Sequence, residues 1–124
     1  MRTPFAPDPR GPWVAVLERA QTVAAASAAG VALDADARRE LAHLSARAGA
    51  VRFPLPHASA TDAAAGFAKL LRGFLACARP EAAQALAQAV LAAARCCRAL
   101  IELEDQAAQA AFQAAEARRL GERD

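Results

Sequence analysis

Apolar residues recur at helical spacing along most of this chain, and proline and glycine divide that pattern into four segments. From Pro12 to Gly30, Trp13, Val16, Leu17, Ala20, Val23, Ala24 and Ser27 fall on one face at ~100° per residue, with Glu18, Arg19 and Thr22 opposite. Proline suits a first helical turn, so helix one is expected to begin near Pro12 and to stop at Gly30. Asp34 reads as the N-cap of helix two, and Asp36 sits in the first turn, where the helix dipole favours an acid. The inward stripe there is Leu33, Ala37, Leu41, Leu44 and Ala48, and Gly49 is expected to end the helix. The short link after Gly30 makes helices one and two antiparallel neighbours.

Pro54 and Pro56 exclude helix from the stretch AVRFPLPHASA, residues 50–60. Its FPLP core is expected to lie across an open end of the bundle, burying Phe53 and Leu55; exposed, it would be a sticky extended element. Ser59 or Thr61 should cap helix three, whose inner face carries Phe67, Leu70, Leu71, Phe74 and Ala78. Lys69, Arg72 and Arg79 fall on its outer face, and Cys77 on the inner side. Gly66 and Gly73 share one flank seven residues apart, and each weakens the helix, which predicts close approach by another backbone.

Helix four opens at Pro80, after a tight hairpin, and meets no breaker before Gly121, which gives it roughly 60 Å at 1.5 Å per residue. Gln84, Gln88, Arg95, Arg98, Glu102, Gln109, Gln113 and Glu116 trace its polar stripe. Leu86, Val90, Ala93, Cys97, Leu100, Ile101, Ala108, Ala111 and Ala115 lie opposite. Glu104 stands on that apolar face. A lone buried carboxylate is costly, so Glu104 is expected to be exposed, marking where the cover from the shorter helices ends. The expectation is therefore an all-α, up-down four-helix bundle over residues 13–124, with an overlong last helix and an extended Pro-rich arm over residues 1–12.

Composition adds limits. Close to a third of the residues are alanine, Lys69 is the only lysine, and asparagine and tyrosine are absent, as GC-rich coding would produce. The net charge of +2 is too mild to imply a nucleic-acid partner by itself. Three cysteines make no disulfide framework, so reduced thiols and a cytoplasmic setting are expected. The proline-rich N-terminus lacks the apolar run of a signal peptide, and no stretch has the ~20 apolar residues of a membrane span.

The chemically suggestive stretch is AAARCCRALIELEDQ, residues 92–106. Consecutive helical residues diverge by ~100°, so Cys96 and Cys97 do not readily share a metal, and a small apolar core role suits them better. A thiol or metal site built from Cys77, Cys96 and Cys97, with His57 as a further ligand, is the alternative. His43, on the outer face of helix two between Arg39 and Arg47, gives the chain some similarity to histidine phosphotransfer domains in size and helical class. Their lysine and glycine three and four residues after the histidine are replaced by Ala46 and Arg47, and a solvated surface histidine is the simpler reading. No nucleophile elbow, phosphate loop or metal motif occurs, so neither catalysis nor a cofactor is expected.

Two partner classes follow. The leading one is protein: a non-enzymatic interaction module, an adaptor, chaperone-like or inhibitory subunit of a larger assembly, that forms a homodimer through residues 100–120, with Phe53, Leu55, Leu103, Glu104 and Phe112 as contact residues. The other is a nucleic-acid backbone within a ribonucleoprotein or regulatory complex, contacted by Arg39, Arg47, Lys69, Arg72 and Arg79.

Overall fold

The computed structural model describes residues 10–53 and 58–123. It contains four helices: α1 (Arg10–Ala28), α2 (Ala35–Ala50), α3 (Ala58–Ala76) and α4 (Pro80–Arg123), and no strand among the described residues. Each helix packs on its chain neighbours and α4 closes the ring on α1, an arrangement consistent with an up-down bundle. The α2–α3 and α1–α4 contacts are the most extensive and the α1–α2 contact the thinnest.

α1 buries the seven residues its periodicity selects, from Trp13 to Ser27. Its first turn begins at Arg10 rather than Pro12, so residues 10–12 belong to the helix and not to the arm. The rest of the expected arm lies outside the described residues. Pro12 fits this turn because the first N–H groups of a helix have no internal partner. Gly30 ends α1 with φ of 96°, while Val31 N–H donates to Ala26 O and Gly30 N–H to Ser27 O, both at 3.0 Å. That pair of bonds is the Schellman closure, and its left-handed residue is best supplied by glycine.

Asp34 caps α2 as expected, its side chain accepting from Ala37 N–H at 2.7 Å. Gly49 does not end α2, which runs on to Ala50 with Val51 as its cap; a Cβ at Gly49 would meet only ordinary contact, 3.7 Å from Ala68 Cβ. Neither Ser59 nor Thr61 caps α3. Helix starts at Ala58, and the Thr61 hydroxyl instead accepts from Phe53 N–H at 2.8 Å.

α3 stops at Ala76, so Cys77, Ala78 and Arg79 form the turn before α4. Pro80 has no N–H to continue the ladder and disfavours helix at the residue before it. Ala78, expected on the inner face, is consequently exposed. Arg38 of α2 donates to Leu75 O at 2.9 Å, satisfying a carbonyl in the last turn of α3.

The core centres on Trp13, Leu17, Leu41, Leu71 and Phe74, filled out by small residues such as Ala64, Ala68, Ala87 and Ala94. Ser45 joins it because its hydroxyl donates to Ala68 O at 2.9 Å. α4 continues unbroken for 44 residues, about 66 Å at 1.5 Å per residue. No helix among the described residues is long and apolar enough to cross a membrane.

Candidate functional site

α1 lies antiparallel along α4, and two contacts fix how much of α4 it covers. At one end Gly30 sits beside Gln84; a Cβ there would be 3.7 Å from Gln84 Nε2. At the other, Arg10 Nη2 pairs with Asp105 Oδ1 at 3.0 Å. α3 packs along the same stretch of α4, where the Cys97 sulfur faces Ala63 O at 3.9 Å. Ile101 is the last buried residue of α4 among the described side chains. Beyond Asp105 some 18 residues, about 27 Å of helix, continue past the described residues of α1.

Large apolar side chains are exposed on this part of α4: Leu103, just before Asp105, by 61%, and Phe112 and Leu120 beyond it by 64% and 56%. Leu103 and Phe112 are the two whose contact role the sequence suggests. Phe53 is buried, as expected of an end-covering residue, and Leu55 lies outside the described residues. Glu104 departs from expectation. It stands at the edge of the cover, but both carboxylate oxygens are shut off from solvent with no hydrogen-bond partner among the described residues. The cation at this level, Arg10, pairs instead with Asp105, one position around the helix.

A second feature lies on the outer side of the α3–α4 pair. An apolar groove of about 400 Å³ runs between Ala63, Gly66 and Leu70 of α3 and Ala93, Cys96 and Leu100 of α4. A Cβ added at Gly66 or Gly73 would meet nothing within 4 Å. The close backbone that these glycines lead one to expect is not found among the described residues.

The three cysteines do not converge. Cys97 is buried, and burial, with a smaller contribution from Cys96, pushes its pKa up to about 11, which keeps it a neutral thiol. Cys96 is exposed. Cys77 sits in the α3–α4 turn with its sulfur 3.5 Å from Arg79 O, roughly 25 Å down the bundle from Cys96 at the helical rise. His57 lies outside the described residues, and no group of three His, Cys, Asp or Glu side chains able to hold a metal occurs among those described.

Arg39 pairs with Asp36 on its own helix, and Arg47, Lys69, Arg72 and Arg79 are exposed, as is His43. Sequence reasoning missed the bidentate pair of Arg19 on α1 with Glu40 on α2, in which Arg19 Nη2 donates to Glu40 Oε1 at 2.9 Å. Each partner stabilises the other's charge, lowering the carboxyl pKa and raising that of the guanidinium.

No protein-family model, curated protein or solved structure matches the chain.

Proposed function

We propose that this chain is a non-enzymatic helical interaction module, an adaptor or inhibitory subunit, that assembles with itself through residues 100–120 and through that assembly serves another protein. The observation that carries the reading is the end of cover at Asp105, with Leu103, Phe112 and Leu120 exposed on a helix that continues for some 18 residues. An isolated helix of that length is marginal in water, so a packed partner is what would keep it ordered. A cytoplasmic setting belongs to the same proposal and is supported by three free cysteines.

Sedimentation of the full chain beside a chain ending at Gln106 tests the proposal. The full chain is expected to be a dimer at micromolar concentration, and the truncated chain a monomer with its helical bundle intact. A full chain that sediments as a compact monomer overturns it. Capture of the partner protein should likewise be lost on removing residues 107–123.

A further inference from the structure

We infer that α4 carries a second, self-complementary seam, and that a second copy of this chain lies antiparallel along its whole length, its α4 filling the α3–α4 groove. The inference rests on the self-association proposed above and specifies its surface and register.

The seam is visible as a repeat. Starting at Leu86 and stepping alternately by three and four residues, every position through Cys96, Leu100 and Leu103 to Ala117 is Leu, Ala or Cys. That spacing averages 3.5 residues, the period of a coiled-coil contact line. It runs one residue before the line that packs into the core, Ala87, Val90, Ala94, Cys97 and Ile101. None of the ten seam residues is buried within the chain. Arg95, Arg98, Glu102 and Asp105 fall on the far half of the helix, so pairing along the seam desolvates none of them.

The register follows from symmetry. The step pattern reads the same backwards from Ala117, so a two-fold axis between Leu100 and Leu103 places every seam residue against one of the second copy. Leu100 meets Leu103 of the second copy, Cys96 meets its Ala107, and Leu86 its Ala117. The same axis brings Pro80 level with Arg123 of the second copy, so the two helices end together.

Area separates this arrangement from one in which only the overhangs touch. A helix about 66 Å long and roughly 12 Å wide presents on the order of 800 Å² to a parallel or antiparallel neighbour, close to the ~800 Å² per partner of a standard stable interface. Overhangs alone, about 27 Å long, present roughly 320 Å², short of the ~500 Å² per partner that a biological interface should clear.

The groove supplies the third element of the fit. In this register the overhang of the second copy lies level with residues 80–97, over Gly66 and Leu70. Mid-helix glycine weakens α3, and the space beside Gly66 and Gly73 is open. Small residues on both surfaces let helix axes approach to about 8 Å. The alanines of the overhang, Ala107, Ala110, Ala111 and Ala114, are what such a shallow groove accommodates.

Cross-linking in the full chain tests register and surface together. With Cys77→Ser in place, native Cys96 alone is expected to give no disulfide-linked dimer on mild oxidation, whereas adding Ala107→Cys gives one. Within one chain those positions are about 16 Å apart along the helix and cannot bridge. Gly66→Leu with Gly73→Leu is expected to leave the bundle core folded, with the cooperative unfolding of the single tryptophan retained, yet weaken dimerisation roughly tenfold or more, because the bulk fills a groove that must close. Three results overturn this inference and leave the proposed self-association standing: a dimer in which Ala107→Cys forms no disulfide with Cys96, one that tolerates both leucines, or one that instead cross-links through Ala111→Cys in a Cys96→Ser chain. A monomeric full chain overturns both.

Discussion

Trp13 and Phe67 stand edge to face across the diagonal of the bundle, ring centroids 5.8 Å apart and planes at 85°. The backbones of α1 and α3 do not approach one another, so this pair joins the two halves of the core. Both rings are essentially inaccessible to solvent. Trp13→Ala is expected to cost about 3–5 kcal/mol through lost burial and the cavity left behind, a large share of the ~5–15 kcal/mol of a typical domain. Urea unfolding followed by far-UV dichroism measures it. Trp13 is the single tryptophan, so its emission should be blue-shifted when folded and should move with the same midpoint.

Glu104 provides an unusual opportunity for stabilisation. Its carboxylate is closed off without a hydrogen-bond partner among the described residues, a cost rather than a contribution. Glu104→Leu should therefore raise stability by about 1–3 kcal/mol, read from the urea midpoint at constant slope. Loss of stability in that variant would show that the carboxylate has a partner.

Thiol labelling should discriminate among the cysteines. Cys97 has a pKa of about 11 and a buried sulfur, so at pH 8 it should react with iodoacetamide only after unfolding. Cys96 is exposed on the single chain and should be modified before it. Peptide mass spectrometry of a labelling time course gives the order.

Acid should expose the contribution of the Arg19–Glu40 pair. The folded-state pKa of Glu40 lies below the ordinary value of 4.5, so its stabilisation is present above that value and is lost as pH falls through the lower, folded pKa. Stability measured against pH for the native chain and for Glu40→Gln should differ above pH 4.5 and converge in more acidic solution. Because both side chains are partly solvated, added salt should narrow the difference at neutral pH.

How far these features could be foreseen depended on the residue type that carried them. The α1 face was legible because Trp13, Val16, Leu17 and Val23 are large and unambiguous, and Gly30 and Asp34 were legible because their roles need special chemistry. Alanine gives no such signal. It is buried at Ala64, Ala87 and Ala94, exposed at Ala42, Ala89 and Ala110, and identical in sequence at all six, so the second line on α4 was hidden beside the first. Ser45 was hidden because a hydroxyl reads as outward until an acceptor, Ala68 O, is found for it. Cys77 was misplaced because inward periodicity was carried one residue past Ala76, into a turn that Pro80 imposes. The Arg19–Glu40 pair joins positions 21 apart, which no local pattern relates.

The unbroken run of α4 from a sheltered stretch into an uncovered one has a kinetic consequence. Amide protons before Ile101 should exchange with deuterium only when the whole bundle opens, while those after Asp105 should exchange by fraying alone. In dilute solution trypsin should nick the chain at Arg118 or Arg119 and leave the rest folded. Raising the concentration should slow both exchange and nicking in that segment first, so one rod would register on its far half whether it had found company.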